Sequence, residues 1–362
     1  MNVLITHPDF KDPGGVAAHY AKLKDKFQIP VQHFIIGKRA EEQDGVIPLL
    51  FRAISDYYRF VKTLRTNDHD VIHTNPSLDF KAFMRDGIFA LLGKLLGKKV
   101  VVFFHGWQKP FESTLQRYGL WLFKFLYGKA NVFIVLAVEF KEVLESWRVS
   151  QKIYCEGMVV DDEALRDFDI NKAIANRGKS KKWRILFLAR LVREKGLYET
   201  IEAFSLLQHK YPMFELIIAG DGNELNKARS FVAKHSIPNV TFTGYVVGEE
   251  KTNLFKSAHI YCFPTYYGEG LPNTICESMA FGLPVITRPV GGIADFFENG
   301  KHGFAVTSKE PKVLANLIEQ IFVDKKLYKR ISICNYEYAL SNFLASSAAL
   351  RLEKIYEAAL MN

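Results

Sequence analysis

Ten residues of this chain join a loop to a predicted helix: Gly268-Glu269-Gly270-Leu271-Pro272-Asn273-Thr274-Ile275-Cys276-Glu277. Gly270 and Pro272 disfavour helix, so we expect the helix to begin just after them and to end near Gly282. The spacing of Thr274 and Glu277 predicts a capping box, in which both side chains accept from unpaired backbone N–H groups. A loop carboxylate, backbone amides and a helix N-terminus together suit a sugar joined to a phosphate.

Short apolar runs alternate with amphipathic stretches along the chain, which predicts two doubly wound α/β domains. Most runs are continuously apolar, as a parallel sheet covered on both faces requires. The predicted strands are 3–6, 33–36, 71–74, 100–104, 132–136 and 153–156 in the first domain, and 184–189, 214–219, 240–243, 260–263 and 284–287 in the second. The polar, basic stretch 171–182 is the expected linker. Ligands should bind at the carboxyl ends of the strands, in a cleft between the domains.

Four motifs in order resemble one enzyme family. Glu269 and Glu277, with seven residues between them, match the E-x7-E signature of the retaining glycosyltransferases of family 4 (GT4), which have the two-domain GT-B fold. Upstream, 190–196 is similar to the family's phosphate-binding Arg and Lys segment, and 218–222 and 243–245 fall at its nucleotide loops. Pro289-Val290-Gly291-Gly292 follows at the expected place. The resemblance is dense between about 184 and 307 and thin in the first half of the chain.

The resemblance implies an organisation in two domains. Residues 1–168 correspond to an N-terminal, acceptor-binding Rossmann-like domain. Residues 169–342 correspond to a C-terminal domain that binds the nucleotide-sugar donor. The segment 343–362 is expected to be a helix that packs back on the first domain.

The same resemblance assigns roles to single residues. Arg190 and Lys195, after a predicted strand, would hold the diphosphate and stabilise it as it leaves. Glu269 would contact the donor sugar and Glu277 the ribose hydroxyls, while His105 matches the histidine beside the donor sugar and the acceptor. Further donor-binding residues are expected at Gly14, Gly15, Gly220, Tyr245, Val246, Gly270, Leu271, Asn273 and Thr274, and Trp107 is a candidate for stacking on an acceptor sugar.

Each of these residues also has a structural alternative. Arg190 and Lys195 could lie on a solvated loop, and Glu269 at an exposed loop tip. Glu277 could only cap its helix. His105 could be a satisfied core side chain, and the glycine pair 14–15 a simple turn.

Composition restricts the class of protein. The chain has 362 residues, of which 48% are apolar, and carries a net charge of +9, with +2 in residues 1–170 and +7 in 171–362. No nucleic-acid motif accompanies this charge, so no nucleic-acid partner is expected. The four cysteines show no C-x-x-C spacing and are typical of reduced, cytosolic thiols. Neither a signal peptide nor an apolar run of ~20 residues is recognisable.

Two Asp-x-Asp pairs raise the question of a metal. Asp68-His69-Asp70 precedes a predicted strand and Asp167-Phe168-Asp169 abuts the expected linker. Both are typical of solvated turns, and GT-B enzymes generally use cations and helix dipoles where other glycosyltransferases use a metal. We therefore expect no metal cofactor.

The segments 80–85, 88–97 and 120–127 mix aromatic or aliphatic residues with basic ones. They could be buried helices of a doubly wound domain, or they could contact an anionic membrane. The second alternative predicts a cytoplasmic protein that is peripheral on the inner face of the plasma membrane.

Together these observations predict a retaining, metal-independent glycosyltransferase. It would move a hexose or N-acetylhexosamine from a nucleotide sugar, expected to be UDP-linked, to a glycan or polyprenyl-linked acceptor of a bacterial surface polysaccharide such as O-antigen or capsule. Two alternatives stay open. A nucleotide-sugar 2-epimerase of the same fold would need no acceptor, and a non-catalytic sugar-nucleotide sensor would fit a chain that had lost Glu269, Arg190 or Lys195, all of which are present.

Overall fold

The computed structural model describes residues 1–12, 14–37, 46–268 and 270–361. They form two compact units, the first made of Met1–Val159 and Ala345–Asn362 and the second of Val160–Leu344. The chain thus passes between the units after Val159 and after Leu344, where the resemblance implies boundaries after 168 and after 342. Each unit is an α/β domain with a six-stranded parallel sheet.

The first unit alternates strands and helices. In chain order they are β1 (Val3–His7), α1 (Gly15–Leu23), β2 (Val31–Ile35), α2 (Val46–Thr66), β3 (Val71–Thr74), β4 (Ser77–Leu78), α3 (Phe80–Leu95), β5 (Lys99–Phe104), β6 (Gly106–Trp107), α4 (Lys109–Thr114), α5 (Leu120–Tyr127), β7 (Val132–Val135), α6 (Val138–Ser146) and β8 (Lys152–Cys155). The large sheet has the order β2-β1-β3-β5-β7-β8, and β4 pairs with β6 separately. All its pairs are parallel, so β1, β3 and β5 end at one edge.

The second unit repeats this plan. Its elements are α7 (Ile170–Lys179), β9 (Trp183–Leu188), α8 (Leu197–Lys210), β10 (Phe214–Ala219), α9 (Leu225–Lys234), β11 (Val240–Gly244), α10 (Gly248–Ser257), β12 (Ile260–Phe263), α11 (Asn273–Ala280), β13 (Val285–Thr287), β14 (Gly303–Ala305), α12 (Pro311–Val323) and α13 (Lys325–Asn342). The sheet order is β11-β10-β9-β12-β13-β14. Strand β14 was not predicted from the sequence.

The last helix, α14 (Ala345–Met361), belongs to the first unit. Its apolar side chains recur at helical spacing, and Ala348, Leu352, Ile355 and Ala359 are buried. Two polar contacts accompany this packing, because Glu353 accepts from the Gln28 N–H and Arg351 lies 2.8 Å from Glu156. Burial of one apolar face, as expected from the spacing, therefore holds α14 on the first unit.

The linker prediction for 171–182 is wrong, because most of this stretch is helix α7. The Asp169 carboxylate accepts from the N–H groups of Asn171 and Lys172 and so caps the helix. The buried Arg177 guanidinium donates to the backbone carbonyls of Phe255 and Phe281. A polar composition suggested a linker, but these tertiary hydrogen bonds anchor the segment within the second unit.

Within the described ranges, no helix combines the length and the apolar character that crossing a membrane requires.

Candidate functional site

The two predicted phosphate-binding cations share one aromatic ring. Arg190 follows β9 and is exposed, while Lys195 ends a short 3₁₀ turn and is only 8% exposed. The Arg190 guanidinium lies 6.0 Å and the Lys195 Nζ 4.7 Å from the centroid of the Tyr267 ring. Cation–π attraction of this kind holds a positive charge over a ring face. Tyr267 therefore brings together two charges that the sequence separates, and sequence reasoning had not selected it.

Glycine is required where the loops after β9 and β10 meet. Gly220 has φ +131, and a Cβ there would lie 1.9 Å from the carbonyl oxygen of Ala189. Its N–H donates to the Gly244 carbonyl over 2.7 Å. Gly220 thus allows the chain after β10 to pass close to the segment that carries Arg190.

The capping-box prediction for helix α11 is wrong. Pro272 occupies the N-cap position, and its side chain makes no capping hydrogen bond. Because the helix begins at Asn273, Thr274 lies inside the first turn, and its hydroxyl hydrogen-bonds instead to the Tyr261 hydroxyl over 2.6 Å. The Tyr261 hydroxyl gives its one proton to the Leu188 carbonyl at the end of β9, so it accepts from the Thr274 hydroxyl. The first turn of α11 is therefore tied to the strand that precedes Arg190.

Glu277 is engaged in an ion pair rather than a cap. It is 5% exposed, and its Oε1 lies 2.8 Å from the Nζ of Lys251 on α10. The Lys251 side chain is 27% exposed, so the pair sits at the margin of the core. Lys251 is a second residue that sequence reasoning missed, since a lysine on a polar helix carries no distinguishing signal.

The other predicted donor-binding residues lie at the same edge of the second sheet. The Gly270 carbonyl accepts from the Gly292 N–H over 2.6 Å and joins the two glycine-containing loops. Leu271 and Val246 are buried, whereas Tyr245, directly after β11, is 66% exposed. Glu269 lies outside the described residues, so its assignment stays a prediction.

The neighbouring turn holds another pair of cations. The Arg288 guanidinium lies 5.4 Å and the Lys309 Nζ 3.9 Å from the ring of Tyr266. Arg288 directly follows β13, is only 2% exposed and donates to the Ser308 carbonyl. Tyr266 and Tyr267 thus each hold two basic side chains near the loop. This Tyr-Tyr dipeptide is the feature of the sequence that could have indicated the cluster of cations.

Gly14, Gly15 and His105 lie in the first unit. Gly14 is the N-cap of α1, and a Cβ added at either glycine would meet no atom of the described residues within 4 Å, so packing against them does not demand glycine there. His105 follows β5, and its Nε2 lies 3.0 Å from the Asn75 Oδ1. Burial lowers the pKa of His105 to about 3, so its imidazole is neutral at physiological pH.

Trp107 is a core residue of the first unit. It is 7% exposed, and its ring stacks on Phe140 with centroids 4.5 Å apart. Its indole N–H donates to Glu112. These contacts engage both the ring and its N–H donor, and the role of Trp107 as an acceptor contact stays a prediction.

The Asp-x-Asp pairs have structural partners. Asp70 accepts from the Asn2 N–H over 2.7 Å, and Asp68 lies 3.8 Å from the Lys98 Nζ. Asp169 caps α7. Over the part of the chain that the structure describes, no three His, Cys, Asp or Glu side chains are grouped as metal ligands.

Comparisons with known proteins show which families and proteins this chain resembles. Residues 169–337 match the family "Glycosyl transferases group 1" and residues 32–155 match "Glycosyltransferase Family 4". The chain is 27% identical to the uncharacterized glycosyltransferase MJ1059 of Methanocaldococcus jannaschii, over 61% of this chain and 62% of that protein. It is also 27% identical to the capsular polysaccharide biosynthesis glycosyltransferase CapM of Staphylococcus aureus, over 47% and 44% of the two chains. In both cases the match spans less than two thirds of the relative's length.

Solved structures share the fold over the whole chain. Anabaena Alr3699/HepE in complex with UDP superimposes with a TM-score of 0.76 at 17% identity, covering 99% of this chain and 100% of that one. Its complex with UDP and glucose gives 0.71 at 17% identity, covering 99% of each chain. With two Rossmann-like domains and a family match on each half, the chain resembles the glycosyltransferases of family 4 and has the GT-B fold.

Proposed function

We propose that this chain is a retaining, metal-independent glycosyltransferase that uses a UDP-linked hexose or N-acetylhexosamine. The observation that carries the proposal is the arrangement of Arg190 and Lys195 around Tyr267, after strand β9, whose end the Tyr261 hydroxyl links to the first turn of α11. Two fixed cations and a row of helix N–H groups make a diphosphate site without a metal. The UDP named in the HepE structures supports UDP as the nucleotide.

The donor would be held at two points in the second unit, the diphosphate and the ribose. The diphosphate binds to Arg190, Lys195 and the backbone N–H groups of Asn273 and Thr274. The ribose hydroxyls bind to Glu277, whose carboxylate is held by Lys251. A carboxylate accepts several hydrogen bonds at once, so one oxygen can keep its ion pair while a ribose hydroxyl donates to the group.

Front-face displacement would then transfer the sugar with retention of configuration. The acceptor hydroxyl attacks the anomeric carbon on the side from which the diphosphate departs, and its proton passes to a phosphate oxygen of the leaving group. Arg190, Lys195 and the α11 N-terminus stabilise the negative charge that develops. The proposal assigns no protein nucleophile, and Glu269 keeps its predicted place beside the donor sugar.

The acceptor is proposed to be a glycan or a polyprenyl-linked sugar at a membrane surface. The aromatic side chains of the basic-aromatic segments divide into buried and exposed ones. Phe83 and Phe123 are core residues, but Phe80, Trp121 and Phe125 are 64%, 69% and 60% exposed. Exposed aromatic side chains next to lysines suit the interface of an anionic bilayer. The polysaccharide role named for CapM supports a surface-polysaccharide acceptor.

A thermal-shift screen of UDP-glucose, UDP-N-acetylglucosamine, GDP-mannose and ADP-glucose tests the donor. A ligand at 100 times its Kd adds about 2.7 kcal/mol of stability, so UDP-sugars should raise the melting temperature visibly. Failure of every UDP-sugar to do so, or equal stabilisation of Arg190→Ala, contradicts the proposed donor site.

Product analysis separates the three candidate activities. Conversion of UDP-N-acetylglucosamine alone to its 2-epimer identifies the epimerase, and donor binding without turnover on any polyprenyl-linked acceptor identifies the sensor. Transfer should persist in excess EDTA. Loss of transfer in EDTA with rescue by Mn²⁺ refutes metal independence.

A further inference from the structure

A chain of buried hydrogen bonds lies beneath His105 in the first unit. It links Asn75, which follows β3, to Tyr20 on α1, His73 on β3 and Tyr356 on α14. These four side chains are at most 3% exposed. Each link has hydrogen-bonding distance, so the position of every proton along the chain can be worked out from the donors and acceptors alone.

The Asn75 amide fixes the direction of the chain. Its Nδ2 lies 2.8 Å from the Thr6 carbonyl, to which it donates. The flipped amide would place Oδ1 against that carbonyl, with two acceptors facing each other and no proton between them. Asn75 Oδ1 therefore faces the Tyr20 hydroxyl at 2.7 Å and the His105 Nε2 at 3.0 Å.

The tautomer of His105 follows from this orientation. A carbonyl oxygen only accepts, so both its neighbours must donate, and His105 carries its proton on Nε2. Since burial keeps the imidazole neutral, with its pKa near 3, the Nδ1 atom bears a lone pair. Among the described residues this buried Nδ1 has no hydrogen-bond partner. A buried acceptor left in this state is unfavourable unless something donates to it.

The same logic extends to the C-terminal helix. The Tyr20 hydroxyl gives its one proton to Asn75, so at 3.3 Å it must accept from the His73 Nε2. His73 then carries its proton on Nε2, and its Nδ1 accepts from the Tyr356 hydroxyl over 2.7 Å. Burial lowers the pKa of His73 as well, so the ring stays neutral. Each of these hydrogen bonds is therefore donated in the same direction, from Tyr356 on α14 towards Asn75.

A second unsatisfied imidazole adjoins His105. His19 on α1 is 2% exposed, and its ring centroid lies 4.8 Å from that of His105. Neither ring nitrogen of His19 finds a hydrogen-bond partner within the described ranges. Two neighbouring imidazoles with unused polar atoms are expected where a hydroxyl-bearing ligand completes the site.

We propose that Asn75 is a positioning residue that fixes His105 as the Nε2–H tautomer, so that Nδ1 accepts a hydrogen bond from a sugar hydroxyl of the substrate. The ligand part of this inference rests on the proposed function, whereas the tautomer part does not. A lone pair at Nδ1 selects a sugar with a free hydroxyl at that point over a deoxy or O-methylated one, because neither of these can donate.

Nuclear magnetic resonance of protein labelled with ¹⁵N-histidine tests the tautomer without any substrate. Two-bond ¹H–¹⁵N correlations should show His105, assigned with His105→Gln, as Nε2–H in the wild type. His259 is the internal control, because its Nδ1 accepts from the Arg184 N–H and it should stay Nε2–H throughout. An Nδ1–H signal for wild-type His105 overturns the inference.

Two variants test the role of Asn75. Asn75→Leu removes the acceptor and should give His105 a mixed tautomer signal, while Asn75→Asp keeps an acceptor and should retain Nε2–H. Tyr356→Phe should change His73 and leave His105 as it was. An unchanged His105 tautomer in folded Asn75→Leu refutes the assignment. If Asn75→Leu does not fold, a neutral His105 with its proton on Nδ1 in Asn75→Asp refutes it.

The ligand part has its own readout. A UDP-sugar that stabilises the protein should shift the His105 Nδ1 resonance, and Asn75→Leu should lower kcat/KM by on the order of tenfold, the effect of about one hydrogen bond. The loss should be smaller for the deoxy sugar whose missing hydroxyl contacts Nδ1. A bound UDP-sugar that leaves Nδ1 unshifted overturns the sugar contact, whereas absence of any UDP-sugar binding refutes the proposed function instead.

Discussion

Replacing Lys251 by methionine removes the cation that faces the Glu277 carboxylate while keeping a side chain of similar length. The two groups lie 2.8 Å apart, on helices α10 and α11. Methionine leaves the carboxylate at the margin of the core without this partner. We expect the second unit to lose stability.

The burial of the pair sets the size of the effect. Breaking a fully buried pair costs about 3–5 kcal/mol, and an exposed pair contributes only about 0.2–1 kcal/mol. Here the side-chain exposures are 7% for Glu277 and 27% for Lys251, which places the pair nearer the buried limit. We therefore expect a loss of about 2–3 kcal/mol. For a domain the size of this unit, that corresponds to a fall in melting temperature of about 4–12 °C.

Thermal melts of Lys251→Met, Glu277→Gln and the double variant form the assay. The double variant should melt above Lys251→Met, because a neutral amide replaces the carboxylate that has lost the charge of Lys251. Lys256→Met is the matched control, since Lys256 is an exposed lysine on the same helix. The reasoning fails if Lys251→Met melts like Lys256→Met, or if the two single effects simply add in the double variant.

Three further outcomes are expected. Arg190→Ala and Lys195→Ala should each lower turnover by about 10²–10³-fold in a folded protein, and near-wild-type turnover in both would remove them from the diphosphate site. Burial lowers the pKa of His7 to about 4 and that of His105 to about 3, so the unfolded chain binds more protons than the folded one below pH ~6.5. The melting temperature should therefore fall as the pH drops from about 6.5 to 4, and an unchanged melting temperature over this range would contradict the burial of these rings. Binding to anionic vesicles should weaken with salt, as the Debye length shortens to about 8 Å, and should weaken further in Trp121→Ser; equal binding of variant and wild type would exclude this surface.

Strands could be predicted because they are buried on both faces. The predicted strands 71–74, 214–219 and 260–263 coincide with β3, β10 and β12. Elsewhere the ends differ by one or two residues, because the last apolar residue of a run need not be the last to pair. The strands that were not predicted, β4, β6 and β14, have only two or three residues each, and no apolar run marks them in the sequence.

Local rules failed where tertiary contacts decide the structure. The segment that forms α7 is polar enough to suggest a linker, yet its Arg177 reaches carbonyls 78 and 104 residues away in the chain. The Thr274–Glu277 spacing satisfies the rule for a capping box, yet Pro272 already holds the N-cap position. Both errors arise because composition and spacing describe a segment by itself, while a buried donor or acceptor pairs with whatever the fold brings near it.

The candidate functional residues, too, could be predicted from the sequence, whereas their partners could not. Arg190, Lys195 and Glu277 could be selected from the sequence because each belongs to a short motif. The partners of Glu277 and His105 come from distant parts of the sequence. Lys251 is 26 residues from Glu277, and Asn75 is 30 residues from His105. These partners act through a single hydrogen bond or ion pair, which needs one polar atom in the right place and no sequence pattern around it. Under the proposed function, Glu277 binds ribose and His105 accepts from a sugar hydroxyl, and such partners hold each group in the position and form that its role needs. In each unit, therefore, motifs in the sequence indicate the candidate residue, whereas its partner is a pairing that only the fold creates.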